Sequence, residues 1–210
     1  MSALSMDALE LNSQPSRPKS MSKSAKFLIF ATGGVGVGLS VVCASFVAPA
    51  FRRICLPYVP ATPEQVSNVL KFLPAKGPKR LLDIGSGDGR IVIATAKHGI
   101  QSDGVELNPW LVWWSRLAAL REGVNSKTKF YRRDLWKFSL KPYDYVVIFG
   151  VEQMMKDLEH KLIAEVPSSK VIACRFPLPT LEPLKVIEDG VNSVWFYDLS
   201  KSKPSNHPSQ

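Results

Sequence analysis

The stretch Leu81-Leu82-Asp83-Ile84-Gly85-Ser86-Gly87-Asp88-Gly89-Arg90 constrains this chain most. An apolar strand runs into alternate glycines and then into a helix. Without a Cβ at positions 85, 87 and 89 the loop can take positive φ, so a ligand can touch main-chain N–H donors and the helix N-terminus. A loop built for a nicotinamide dinucleotide reads GxGxxG and needs a sixth-position glycine. Arg90 stands there instead.

The flanking pattern repeats this strand-then-helix unit. Strands are expected over Arg80–Gly85, Ser102–Leu107, Thr128–Arg133, Tyr143–Phe149 and Lys170–Phe176, with helices near Arg90–His98, Pro109–Glu122 and Gln153–Glu165. Such repetition implies a mainly parallel sheet covered on both faces. Leu184–Glu188 and Ser193–Leu199 flank the turn Asp189-Gly190-Val191-Asn192, which has room for a hairpin and hence an antiparallel edge. Ahead of the sheet, Thr62, Pro63 and Gln65 match a capping box opening a helix that carries Val66, Val69, Leu70 and Leu73 and stops before Pro74.

The pattern DxGxGxG fits binders of adenosine joined to a methionine side chain. Such a ligand predicts an acid at the end of the next strand, facing the ribose hydroxyls, and Glu106 is in place. A polar or acidic group is expected after the third strand, near the adenine, and Asp134 follows Tyr131-Arg132-Arg133. Each acid alone reads equally well as a cap or a solvated strand end. Together the three positions favour the ligand.

Phe27–Phe51 holds 25 residues without an ionisable acid or base. As a helix it reaches roughly 37 Å, enough to cross a bilayer. A secretory signal has a shorter apolar region, and a buried core helix rarely lacks a polar face. Lys23 and Lys26 precede the stretch and Arg52 and Arg53 follow it, so charge gives no orientation. Gly34 and Gly38 form a GxxxG pair, too common in membrane helices to imply a specific dimer.

The net charge of +9 is spread along the chain: +4 over residues 1–60, +3 over 61–199 and +2 from Lys201 and Lys203. No single basic face emerges, so nucleic acid is not expected as the main partner, and a weak attraction to anionic membrane is at least as good a use. Cys43, Cys55 and Cys174 are odd in number and far apart, and His98, His160 and His207 lack ligand spacing. A disulfide framework and a zinc site are both disfavoured, with a reducing compartment the default.

The expected organisation is a basic, Ser-rich tail over 1–26, weakly like a mitochondrial targeting segment, a transmembrane helix over 27–51, a proline-rich connector over 52–61, one folded domain over 62–199 and a disordered tail over 200–210.

Further stretches carry a resemblance. Val59-Pro60-Ala61, Asp83 through Val92, Glu106-Leu107-Asn108-Pro109-Trp110-Leu111-Val112, Asp134-Leu135-Trp136-Lys137, Arg175-Phe176-Pro177 and Val194-Trp195-Phe196-Tyr197-Asp198 resemble the mitochondrial protein-lysine methyltransferases of the seven-β-strand class. Members of that family modify the c subunit of ATP synthase or the adenine nucleotide translocase. Val147-Ile148-Phe149-Gly150-Val151 and Gln153-Met154-Met155 favour the c-subunit branch.

The resemblance implies an α/β, doubly wound, Rossmann-like sheet of seven strands preceded by one transmembrane helix. It implies S-adenosyl-L-methionine as cofactor, held by Asp83, Gly85, Ser86, Gly87, Gly89, Glu106, Asn108 and Asp134, with Tyr58 as a further contact. It implies a membrane-embedded substrate, the c subunit of ATP synthase, and a single pass through a mitochondrial membrane, the inner one. The catalytic base stays unassigned. Glu152 follows the fourth strand, but a carboxylate opening a helix is its better reading. Trp110, Trp113 and Trp114 follow Glu106, and core packing is expected of at least one. The same loop can serve methylation of the translocase, a small amine, a quinone precursor or RNA, and a membrane-bound assembly factor without catalysis could also keep the fold.

Overall fold

The computed structural model describes residues 22–47, 58–74 and 79–201. The expected tails over 1–21 and 202–210, most of the connector, Cys55, and the end of the apolar stretch at 48–51 lie outside the described residues. The chain divides into two compact units at Val41 and Val42.

Helix α1 runs over Lys23–Val47, with Lys23–Val41 in the first unit. It begins earlier than the uncharged stretch, because Lys23 and Lys26 are good helix formers and Ser22 Oγ accepts from the Ala25 amide at 3.1 Å. Lys23–Ala44 is long and apolar enough to cross a membrane.

In the second unit α2 spans Pro63–Leu70, with the Thr62 capping box fully formed. Gln65 N donates to Thr62 Oγ1 at 3.1 Å and Thr62 N donates to Gln65 Oε1 at 2.9 Å. The sheet strands are β1 (Arg80–Ile84), β2 (Gln101–Glu106), β3 (Thr128–Arg132), β4 (Tyr145–Phe149), β5 (Lys170–Cys174), β6 (Lys185–Ile187) and β7 (Val194–Asp198). Helices α3 (Arg90–Lys97), α4 (Pro109–Arg121) and α5 (Glu152–Glu165) connect the parallel strands.

The sheet order is β3-β2-β1-β4-β5-β7-β6. The first five strands are parallel. β7 is antiparallel to both β5 and β6. The expected hairpin is present, but its second strand inserts beside β5, so the antiparallel strand sits one place inside the edge. The strand order reverses between the parallel neighbours β1 and β4, which opens a crevice at their carboxyl ends.

Alternate strand residues feed two cores. Leu82, Ile84, Val146, Ile148 and Val171 pack with Met154, Leu158 and Leu162 of α5. Leu81, Val147, Ile172 and Cys174 pack with Val69 of α2 and Ile91 of α3. Val92 and Ala96 of α3 meet Val112 and Ala119 of α4 over Phe130. In α4 the buried positions are Leu111, Val112, Ser115 and Ala119. That register turns Trp110, Trp113 and Trp114 outward, so the expectation that at least one is a core residue does not hold. A residue of their size would not fit where Ser115 and Ala119 press against the glycine loop and β3.

Candidate functional site

β1 delivers its chain into the glycine loop at the crevice. Gly85 N and Ser86 N both donate to Val105 O of β2, at 2.9 and 3.1 Å, and Gly89 N donates to Ser86 O at 2.8 Å. This tight bend requires positive φ at residue 87, where φ is +52° and an added Cβ would lie 2.9 Å from the Tyr58 ring. Gly89 has φ +81°, and its added Cβ would meet Phe130 and Ser115 at 2.8 and 2.9 Å. No residue with a side chain fits either place.

A cavity of about 350 Å³ opens over this loop, within the usual range for a small-molecule site. Eight of the nine expected contact residues line it: Tyr58, Asp83, Gly85, Ser86, Gly87, Glu106, Asn108 and Asp134. Gly89 does not. It lies beneath the loop, where it lets α3 and α4 close on each other.

The Glu106 carboxylate accepts from Gly87 N at 3.1 Å through Oε2 and from Leu107 N and Asn108 N at 2.7 and 2.8 Å through Oε1. It thus clamps the glycine loop to the start of α4, and a carboxylate has lone-pair capacity left for a ligand. Asn108 caps α4 by accepting from Trp110 N at 2.9 Å. Asp134 caps the short turn Leu135–Lys137 by accepting from Trp136 N at 3.1 Å.

Asp83 is 1% exposed. Burial, and then the nearby Glu106 and Asp88 carboxylates, push its carboxyl up to about 8. Asp83 Oδ1 and Ser86 Oγ are buried without a hydrogen-bond partner in the protein. Buried polar atoms left this way cost stability unless a ligand or water completes them. Two orphaned oxygens on residues of the cavity wall, beside a backbone that excludes Cβ atoms, suit a ligand with hydrogen-bond donors at one end. The remaining wall, with Ile91, Val105, Leu107, Leu111, Trp136 and Phe149, suits a flat apolar ring.

Several important positions escaped the sequence reading. Arg90 donates to Asp88 through Nε at 3.0 Å and through a terminal nitrogen at 2.6 Å, and its other terminal nitrogen donates to Ala61 O. Asp88 also faces the Tyr58 hydroxyl. The arginine that breaks the dinucleotide pattern therefore straps the connector over the glycine loop. Burial works to raise the Asp88 carboxyl, but Arg90 outweighs it and holds it below the ordinary value. Burial and Asp88 together raise the Tyr58 phenol. Ser115 Oγ donates to Gly87 O at 3.0 Å. Gly104 of β2 faces Ser86, whose Oγ lies 2.6 Å from where a Cβ would be. The sequence signal for Gly104 was an isolated glycine inside a strand, which marks close approach. Glu152 opens α5, exposed to solvent and outside the cavity wall.

Comparison with known proteins bears on what this site does. The ANTKMT methyltransferase domain matches residues 83–185, and the N-terminal domain of the ATP synthase C-subunit lysine N-methyltransferases matches residues 21–52. The ATP synthase C-subunit lysine N-methyltransferase of Xenopus laevis is 53% identical over 93% of this chain and 86% of its own length. The adenine nucleotide translocase lysine N-methyltransferase of Mus musculus is 41% identical over 85% of this chain and 80% of its own. An RNA methyltransferase from Salinibacter ruber, solved in complex with S-adenosyl-L-homocysteine, superposes with a TM-score of 0.64 at 26% identity, over 72% of this chain and 98% of that one. The chain belongs to the family of lysine N-methyltransferases that includes the ATP synthase C-subunit and adenine nucleotide translocase enzymes.

Proposed function

We propose that this protein transfers methyl groups from S-adenosyl-L-methionine to a lysine of the ATP synthase c subunit, while α1 holds it in the mitochondrial inner membrane. The carrying observation is that the chain matches the N-terminal domain of the c-subunit enzymes ahead of an ANTKMT methyltransferase domain, and is 53% identical to a c-subunit enzyme over 86% of that relative's length.

The cavity residues divide by chemistry. Asp83 and Ser86 offer acceptors for the ammonium of the cofactor's amino-acid end. Glu106 offers acceptors to the ribose hydroxyls, and Asp134 reaches the adenine end beside Trp136. Tyr58 and the strap behind it close the loop side, and Asn108 fixes the start of α4. When bound, the cofactor supplies a methyl group on a positively charged sulfur.

The rest is the work of the chain. A free lysine amine has a pKa of about 10.4 and is mostly protonated near neutrality. An apolar wall that excludes water disfavours the ammonium and so favours the nucleophilic neutral amine. Val105, Leu111, Phe149 and Met154 provide such a wall.

Mitochondrial membranes from cells lacking the protein, incubated with the purified full-length chain and methyl-labelled S-adenosylmethionine, test the reading. A labelled proteolipid the size of the c subunit, carrying methyl-lysine by mass spectrometry, is expected. Label on the translocase instead would move the substrate assignment to that branch, and no label on any protein would leave a non-catalytic assembly role.

A further inference from the structure

α4 is apolar on two opposite faces. Leu111, Val112, Ser115 and Ala119 face the sheet. On the other side Trp110 is 38% exposed, Trp113 58%, Trp114 48% and Leu120 60%. Their spacing keeps them on one stripe, whereas a surface helix ordinarily turns a charged face to water.

Two observations bear on what covers this stripe. The first is charge. Between Arg116 and Lys137 the chain carries Arg116, Arg121, Lys127, Lys129, Arg132, Arg133 and Lys137 against Glu122 and Asp134. Glu122 is paired with Lys97 at 2.6 Å, and Asp134 lies in the cavity wall, so the α4 and β3 edge stays strongly basic. The Arg121 guanidinium lies 5.9 Å from the centre of the Trp114 ring. Tryptophan interleaved with Arg and Lys is the composition of surfaces that sit at the headgroup level of a bilayer.

The second is continuity with the site: Leu107, Asn108 and Leu111 line the cavity, so the first turn of α4 forms part of its rim.

We propose that the outer face of α4 seats in the anionic headgroup layer of the membrane, turning the mouth of the cavity toward the bilayer surface. This rests on the reading of α1 as a membrane anchor, and the test separates the two. All five tryptophans lie outside α1, at 110, 113, 114, 136 and 195, so their fluorescence reports the domain alone.

The full-length chain is reconstituted into vesicles of phosphatidylcholine and phosphatidylglycerol carrying phosphatidylcholine brominated near the headgroup. Emission is expected to fall by about half, since three of the five tryptophans lie on this face. Combining Trp113→Ser with Trp114→Ser should lower that fractional fall at least about twofold while the chain still floats with the vesicles. Equal quenching without phosphatidylglycerol overturns the anionic assignment. A wild-type chain that floats with the vesicles but keeps its full emission overturns the seating and leaves the anchor intact. A chain that fails to float overturns the anchor and the seating with it. Emission that changes only when the ATP synthase proteolipid is added assigns the face to a protein partner and overturns the lipid assignment.

Discussion

A carboxyl group that keeps its proton up to about pH 8 makes the ligand-free protein respond to pH in a definite direction. In the unfolded chain Asp83 releases its proton near its ordinary value of 3.8, whereas the folded state holds it. Between about pH 4 and 8 the folded state therefore binds more protons, and this group's contribution to stability falls as pH rises, by up to about 1.4 kcal/mol per unit. Asp83→Asn removes the titration. Its ligand-free melting temperature should lose that decline and exceed the wild type near pH 8, as measured by calorimetry from about pH 5 to about pH 8. S-adenosylmethionine should raise the wild-type midpoint more than the variant's, because only the wild type offers a carboxylate to a cationic donor. Equal ligand-induced shifts would remove Asp83 from the proposed contacts. Gly104 supplies a second residue-scale expectation. Gly104→Ala drives a methyl into Ser86 and should cost about 1–3 kcal/mol in chemical denaturation, with Ser86→Gly returning part of it in a double-mutant cycle. The glycines at 85 and 87 were legible in the sequence because their demand is local, a bend and a close approach. Gly104 left only the general mark of an isolated glycine inside a strand, because the group that requires it, Ser86, lies in the loop after the neighbouring strand.

Among the elements, the strap of Arg90, Asp88 and the connector gives the clearest expectation. Arg90→Ala frees Ala61 O and leaves Asp88 without its cation. Cofactor affinity by calorimetry should fall by about 1–2 kcal/mol, and protease cleavage near Tyr58 should speed up while the circular dichroism of the domain is unchanged. An unchanged cleavage rate would show that the connector is held by something else. The helix after Thr62 could be read directly, because a capping box is written within four residues. The outward turn of the α4 tryptophans could not, because its register is decided by which small residues, Ser115 and Ala119, must sit against the glycine loop and β3. Strand positions were legible to within a residue or two, as expected where hydrogen bonding ends gradually.

For the whole molecule, the alternation of strands and helices announced a covered parallel sheet, and the terminal hairpin announced an antiparallel strand. The insertion of β7 between β5 and β6 follows from a pairing across more than twenty residues, and no local pattern carries it. The anchor reading leads to an expectation at this scale. A chain lacking residues 1–53 should bind S-adenosylmethionine as the full chain does, yet methylate its membrane substrate poorly in cells, since tethering raises the effective concentration of enzyme near a target in the same bilayer. Undiminished methylation in cells, read by mass spectrometry, would show that tethering contributes nothing.

The late arrival of β7 also sets a rule for damage to the gene. Val171, Ile172 and Ala173 of β5 are wholly buried beside Val194 and Tyr197 of β7, which follows it in the chain. A premature stop between codons 175 and 193 leaves the glycine loop, its cavity-forming acids and β5 fully encoded, yet strips that apolar strand of its neighbour and exposes an open edge prone to aggregation. Nonsense alleles in that interval should therefore behave as complete losses, with the product degraded or insoluble.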